Sequence, residues 1–196
     1  MHTRRFATLL LGMWLAGTLL MMGVAFQNLN RVDELLKSPG PEAAQYIKIL
    51  GANSARTLLR YQVSELNRFY YEHWELGQLC IGTAVGLTLL FATNGDKYYM
   101  AGVGLLLLLV IVEHWLITPQ LLSFGRAIDF VPPEAPSAER IKFWRFQNAY
   151  TVLEAAKLVL LGAISARLLM IRSRRRSRPR NHLDVVHDSN HAAIDG

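Results

Sequence analysis

The 196-residue sequence has little of what soluble or covalently cross-linked proteins depend on. Its single cysteine, Cys80, excludes an intrachain disulfide and any zinc or iron–sulfur site built from several cysteines. Charged residues make up 18% of the chain, below the roughly 25% that is typical of soluble domains. Hydrophobic residues make up 52%, which excludes a chain that is disordered along its whole length. This composition indicates an integral membrane protein.

Catalytic motifs are also absent from the sequence. It contains no G-x-S-x-G nucleophile motif, no H-E-x-x-H zinc motif and no glycine-rich phosphate-binding loop. We therefore expect that the protein is not an enzyme and that it has no resident cofactor.

Long apolar segments are the main feature of the chain. A helix of roughly 20 apolar residues crosses a hydrocarbon layer about 30 Å thick. We expect helices because the alternating pattern of a membrane β-barrel is missing. The sequence therefore predicts an all-α integral membrane four-helix bundle. The predicted transmembrane helices are residues 6–26, 76–93, 98–117 and 146–171.

Basic residues set the predicted orientation. Arg4 and Arg5 precede the first span, and an arginine cluster follows the fourth. The positive-inside rule then places both termini in the cytoplasm of a multi-pass protein of the bacterial inner (cytoplasmic) membrane. The cytoplasmic parts are residues 1–5, a turn at 94–97 and a basic, disordered tail at 172–196. In that tail, the arginines that we expect to bind anionic lipid headgroups rather than nucleic acid are Arg172, Arg174, Arg175, Arg176, Arg178 and Arg180.

Two longer segments, residues 27–75 and 118–145, are predicted to face outward. In the first, a helix that begins after Gly51 meets no strong breaker before the second span. We therefore expect a small helical extracytoplasmic cap. In the second, we expect Pro119 to end the third span.

Ionisable residues inside a span are costly, and they mark functional sites in many membrane proteins. The fourth span carries polar residues at steps of three and four, which places them on one stripe of the helix. Two more polar residues lie near the outer end of the third span, and Glu72, His73, Glu75 and Gln78 lie at a similar depth. The predicted intramembrane polar cluster comprises Glu113, His114, Gln147, Tyr150, Glu154 and Lys157.

Three functions agree with this cluster. The one we favour from sequence is a structural or accessory subunit of a membrane complex, with a membrane-protein partner or a second copy packed on small-residue helix faces. The second is a small transporter or ion-coupled carrier that uses Glu113, Glu154 and Lys157. The third is a haem-binding or metal-binding redox protein that uses His73 and His114, although the spans contain no full ligand set.

A short pattern links the third span to the fourth. It consists of Leu116-Ile117-Thr118-Pro119, then Gly125-Arg126, then Asp129-Phe130, then residues 143–150. In this pattern the chain resembles the bacterial domain-of-unknown-function 4149 family, which is similar to the eukaryotic transmembrane protein 205 group. Gln147 occupies the place where family members often carry a histidine. The resemblance covers residues 6–171 and implies a four-span membrane protein without implying a defined activity.

Overall fold

The computed structural model describes residues 2–93, 95–132 and 135–176. Every regular element within these ranges is helical, so the prediction of an all-α protein is confirmed. The chain divides into two compact units, residues 1–165 and 166–196, and the contacts described below lie within the first. The elements are α1 (His2–Lys37), α2 (Pro41–Leu50), α3 (Ala52–Ala92), α4 (Lys97–Val112), a π-helical turn (Glu113–Ile117), α5 (Thr118–Ile128) and α6 (Ala138–Arg176).

Three helical stretches in the described ranges are long and apolar enough to cross a membrane. They are Thr3–Lys37, Ala52–Ala92 and Lys97–Ile128. They contain the first and third predicted spans and all but the last residue of the second. The helix α6 carries charged residues within its apolar segment and is not among these three. The structure thus supports a membrane protein with at least three helices of spanning length.

The helices α1 and α3 lie antiparallel. At one end, Arg4 Nε donates a hydrogen bond to the carbonyl of Ala92 (3.0 Å). At the other end, Asn28 Nδ2 donates to Asn67 Oδ1 (2.9 Å). The 36 residues of α1 extend about 54 Å and the 41 residues of α3 about 62 Å, at 1.5 Å per residue. A hydrocarbon layer is about 30 Å thick, so the polar ends of this pair extend beyond such a layer.

Residues 27–75 are mostly helical. They comprise the end of α1, the short helix α2 and the first half of α3, which continues without interruption from Ala52 through the second predicted span. Gly51 separates α2 from α3 and has a φ of 82°. A positive φ favours glycine, because glycine has no Cβ that would clash with the backbone in this conformation.

The expectation that Pro119 ends the third helix is wrong. The helix continues through the π-helical turn into α5 and ends at Ile128. A proline disrupts a regular α-helix because it lacks an N–H and crowds the carbonyl four residues earlier. Here the wider π turn accommodates the ring, since the N–H of Thr118 donates to the carbonyl of Glu113, five residues earlier. The connection to α6 is therefore residues 129–137, not the whole of 118–145.

Ser137 caps the start of α6. Its hydroxyl oxygen accepts a hydrogen bond from the backbone N–H of Arg140 (3.3 Å), which satisfies one free donor of the first helical turn. The same hydroxyl donates to the carboxylate of Glu139 (2.8 Å). This hydrogen bond lowers the pKa of the Glu139 carboxyl below its ordinary value.

The end of α6 differs from the prediction of a disordered segment over 172–196. The helix continues to Arg176, so the first residues of that segment are helical. Of the arginines predicted to bind lipid headgroups, Arg172, Arg174, Arg175 and Arg176 lie in this last part of the helix. Arg178 and Arg180 lie outside the described residues.

Each of the four long helices presents a stripe of buried residues at steps of three or four, as helices packed side by side do. Large apolar side chains lie exposed on other faces, for example Phe91 and Val159, which is typical of helices surrounded by lipid. The stripes are Ala7, Leu11, Trp14 and Thr18 in α1; Glu75, Gln78, Gly82, Val85 and Leu89 in α3; Tyr99, Val103, Leu106 and Val110 in α4; and Tyr150, Glu154, Lys157, Leu161 and Ile164 in α6.

Candidate functional site

Four charged side chains are buried together between α3, the π-helical turn and α6. The exposed fraction is 0% for Glu75 and Glu113, 1% for Lys157 and 3% for Glu154. Taking an ionised side chain out of water costs several kcal/mol unless partners compensate it. These four residues and Gln78 are called the charge cluster below.

Lys157 is the centre of the charge cluster. Its ammonium group forms an ion pair with Glu113 from the π-helical turn. It also donates to Glu154 Oε1 (2.9 Å) and to Gln78 Oε1 (2.9 Å). An ammonium group has three protons to donate, so all three have an acceptor here.

Gln78 connects the cluster to α1. Its side-chain oxygen accepts from Trp14 Nε1 (3.2 Å) as well as from Lys157, and its nitrogen donates to Glu154 Oε1 (3.3 Å). The hydroxyl of Tyr150 donates to the same glutamate oxygen (3.3 Å). The network therefore joins four helical segments in one set of buried hydrogen bonds.

Glu75 forms the outer branch of the cluster. One of its oxygens accepts a hydrogen bond from the Thr118 hydroxyl, and the other lies 2.9 Å from His114 Nδ1. In a regular α-helix, residues five apart are rotated by about 140° from each other. The π turn brings Thr118 back to the face of Glu113, so both are buried against α3.

The buried charges do not balance. The cluster has three carboxyl groups and one ammonium group. Glu113 Oε1 and Glu154 Oε2 are buried and have no hydrogen-bond partner in the described part of the chain. An unpartnered carboxylate oxygen is costly in such a place, whereas a protonated carboxyl carries no net charge. The arrangement is therefore suited to holding and releasing protons.

The depth of the cluster follows from helix geometry. Gln78 lies 14 residues before Ala92, or about 21 Å along α3. Glu113 lies 16 residues after Lys97, or about 24 Å along the continuing helix. Both distances are measured from the end where Arg4 bonds to Ala92. In a layer about 30 Å thick that begins at this end, the cluster lies in the far half.

A second group of charges joins α3 to the end of α5. Arg68 donates two hydrogen bonds of 2.7 Å to the carboxylate of Asp129 and a third of 2.7 Å to Glu65. Arg126 also donates to Glu65, at 3.1 and 3.3 Å. We call these four residues the charge clamp. The clamp holds two cations and two anions, and Gly125 leaves space for it, because a Cβ there would lie 2.9 Å from Arg68.

The structure brings together most of the residues predicted for the polar cluster. Lys157 contacts both Glu113 and Glu154. Tyr150 bonds to Glu154, and His114 bonds to Glu75 at the outer branch of the cluster. Gln147 is half-buried, and in the described chain it lies outside this network, contributing its carbonyl to Thr151.

Four participants are not among the members of the predicted cluster: Trp14, Glu75, Gln78 and Thr118. From the sequence, Glu75 and Gln78 are placed at the depth of that cluster, whereas no polar role is assigned to Trp14 or Thr118. For two of them a signal exists, because Glu75 and Gln78 begin the buried stripe of α3 at helical spacing. Trp14 gives no such signal, since it reads as one more apolar residue of its span. Thr118 lies on the inner face only because of the π turn.

The two histidines that were considered as metal or haem ligands have different partners. His73 is exposed, and its Nδ1 lies 2.8 Å from the carbonyl of Phe69 in its own helix, whereas His114 faces Glu75. Across residues 2–93, 95–132 and 135–176, no group of three or more His, Cys, Asp or Glu side chains is placed to hold a metal ion. Cys80 is exposed.

Comparison of the chain with protein-family models, with curated proteins and with solved structures gives no match, so the resemblance to the domain-of-unknown-function 4149 family stays a prediction.

Proposed function

We propose that the protein is a small ion-coupled membrane carrier and that its charge cluster is the site that binds the coupling proton. The observation that carries this proposal is the excess of buried carboxyl groups, with Glu113 and Glu154 each leaving one oxygen unpartnered in the described chain. Ionisable groups inside a membrane bundle mark proton and ion paths in many transporters. The sequence alone favours an accessory subunit over a carrier, whereas the unpartnered buried carboxyl oxygens favour the carrier.

The charge clamp provides an internal comparison for this choice. A network that only fixes helix packing is most stable when each polar group has a partner and the charges balance. The clamp meets that description, with Arg68 and Arg126 opposite Glu65 and Asp129. The charge cluster does not, because it has one ammonium group for three buried carboxyl groups, and two carboxyl oxygens have no hydrogen-bond partner among the described residues. A purely structural role explains the clamp better than the cluster.

A proton in the cluster has a defined effect on its ion pairs. When Glu113 and Glu154 are both ionised, the Lys157 ammonium is shared between the π-helical turn and its own helix. Protonation of either glutamate weakens one of those ion pairs and leaves the other. Proton binding is thereby coupled to the contact between α6 and the π-helical turn, which is the kind of two-state element that a carrier needs.

The proposal includes a four-helix bundle in the bacterial inner membrane with α6 as the fourth span. The buried stripe of α6 supports it, as does the contact of Ile164 with Gly102, where a Cβ would lie 3.0 Å from Ile164 Cδ1. Arg4 and Lys97 lie at the same end of the helices, in agreement with a cytoplasmic N-terminus and turn. The arginines after the fourth span would then contact anionic headgroups of the cytoplasmic leaflet.

Infrared spectroscopy of the full-length protein in liposomes tests the proton site. A carboxyl band should appear and disappear between about pH 4 and pH 10, a range that brackets the ordinary pKa values of glutamate and lysine. The variants Glu113→Gln and Glu154→Gln should reduce that band. Glu72→Gln, which changes an exposed glutamate of α3, is the matched control and should leave it intact. A wild-type protein with no titrating buried carboxyl in this range would refute the proposal.

An accessory-subunit role is the second candidate, and one observation favours it. Gly12, Gly104 and Gly162 face open space, since a Cβ at any of them would meet nothing within 4 Å. Small residues on lipid-facing surfaces allow another helix to approach closely. Blue-native electrophoresis should then show a complex larger than one chain, and a monomer under conditions that preserve other membrane complexes would count against this role.

A further inference from the structure

The residues that flank the charge cluster along the helix axes are apolar toward one end of the helices and polar toward the other. Toward the end where Arg4 bonds to Ala92, the next buried residues of the stripes are fully buried and apolar: Val85, Leu89, Leu106 and Leu161, each 0% exposed. Toward the opposite end, the next groups are Glu75, Thr118 and His114. A proton needs polar groups or water to move through, so among the residues that the structure describes the second direction offers it the route.

His114 is the point where this polar side reaches the surface. Its side chain is 21% exposed, whereas that of Glu75, to which it is hydrogen-bonded, is 0% exposed. Counted along the helix, His114 lies 17 residues beyond Lys97, or about 26 Å, which is close to the thickness of a hydrocarbon layer. An imidazole ring has two nitrogens, so it can accept a proton at one and release a proton from the other.

We propose that His114 is the port through which protons pass between the outer aqueous face and the charge cluster, with Glu75 as the relay. This inference rests on the proposed function, because it specifies the side from which the coupling proton arrives. The carboxyl group of Glu75 is one helical turn from Gln78, which lies on the same stripe of α3 and bonds to Lys157 and Glu154.

The transfer is a balanced exchange of one proton. Water at the outer face donates a proton to Nε2 of neutral His114, giving an imidazolium. The N–H bond at Nδ1 then breaks, and an O–H bond forms at the Glu75 carboxylate oxygen 2.9 Å away. The ring is left neutral with its proton on Nε2, and rotation of the ring returns an N–H to the side of Glu75. Glu75 gives its proton to an ionised carboxylate of the charge cluster, Glu113 or Glu154, and is itself ionised again.

Few groups contact His114 and Glu75 in the described part of the structure. The His114 ring is faced by Glu75 from α3 and by the ring of Trp115 from its own turn, which lies perpendicular to it with ring centroids 4.7 Å apart. Glu75 is faced in addition by the hydroxyl of Thr118. Trp115 and Thr118 do not titrate. The other charged groups close enough to interact with Glu75 are Lys157 and Glu113 of the charge cluster. At the port itself, Glu75 and His114 carry the exchange.

The test is the rate of carboxyl protonation after a rapid drop in external pH, followed by time-resolved infrared spectroscopy of the full-length protein in liposomes. His114→Gln keeps a hydrogen-bond donor for Glu75 but cannot exchange protons, and it should slow the rate at least tenfold without changing the final extent. His73→Gln is the matched control, because His73 is exposed on α3, has no bond to the cluster in the described structure and should keep the wild-type rate. Equal rates in His114→Gln and wild type would overturn the port.

Chemical rescue separates proton transfer from a packing effect. His114→Ala should be slow, and imidazole added to the outside buffer should restore most of its rate. A slow variant that imidazole does not accelerate would overturn the port, because its defect would then be structural. Absence of any carboxyl band change in the wild-type protein would instead refute the proposed function itself, so the two failures give different results.

Discussion

Replacement of Lys157 by methionine tests how the charge cluster is stabilised. The change keeps a long apolar stem but removes the ammonium group that serves Glu113, Glu154 and Gln78. Removing one partner of a buried ion pair costs about 3–5 kcal/mol. The protein can limit that cost by binding a proton in place of the ammonium group. At pH 7, protonating a glutamate with an ordinary pKa of about 4.3 costs about 3.7 kcal/mol, at 1.36 kcal/mol per pH unit.

The loss of stability in Lys157→Met should therefore depend on pH. We expect a decrease of about 3–4 kcal/mol in the free energy of unfolding at pH 7 and of about 1 kcal/mol at pH 5, because protons are then available at a lower free-energy cost. The measurement is reversible unfolding in mixed detergent micelles, followed by circular dichroism at both pH values.

Two further variants decide the interpretation of Lys157→Met. Lys157→Met combined with Glu113→Gln should recover a large part of the loss at pH 7, because the double variant has one fewer uncompensated carboxylate. Lys142→Met, which changes an exposed lysine of the same helix, should cost less than about 1 kcal/mol. A loss that is the same at both pH values and is not recovered in the double variant would refute the electrostatic explanation and leave packing as the cause.

Two other predictions concern the fold around the cluster. Asp129→Asn removes a nearly buried partner of Arg68 in the charge clamp and should cost about 3–5 kcal/mol of unfolding free energy. Asp33→Asn, at an exposed pair with Arg56 and Arg60, should leave the unfolding free energy almost unchanged. Equal losses would show that burial does not set the strength of these pairs. Gly82→Ala places a Cβ 2.6 Å from Leu107 and 2.8 Å from the Trp14 ring, which is fully buried, and should cost about 1–3 kcal/mol. Gly12→Ala meets nothing and should be neutral or slightly stabilising, so a similar loss in both variants, measured by the same unfolding titration, would exclude steric crowding as the cause.

Sequence periodicity predicts which face of a helix turns inward better than it predicts what that face meets. The spacing of Tyr150, Glu154 and Lys157 places them on one stripe, and the structure buries all three. Their partners come from helices that are distant in sequence, and one chain without aligned relatives carries no signal for such pairings. Gln147 lies one heptad before Glu154, where a straight helix has rotated by about 20° from a strict seven-residue repeat, and it lies at the edge of the buried face.

Polar residues at the ends of spans are harder to assign than those in the middle. Glu75 and His114 lie near the predicted boundaries of their spans, where a charged side chain can reach water and needs no partner. Only the tertiary structure shows that Glu75 is completely buried while His114 is partly exposed. The distinction decides which of the two belongs to the interior of the site and which connects it to the surface.

Pro119 and the buried charges explain each other. A regular α-helix through this region would turn Thr118 away from the face that carries Glu113. Glu75 would then lose the hydrogen bond that the Thr118 hydroxyl donates to it. Proline at 119 disfavours that regular helix, since it cannot donate the backbone hydrogen bond expected there. The π turn satisfies both conditions at once, because it accommodates the proline and places Glu113, His114 and Thr118 where α3 and α6 present their polar residues. Pro119, which the sequence predicts to end the third span, thus favours the π turn that places Glu113 and Thr118 on the same side of the helix.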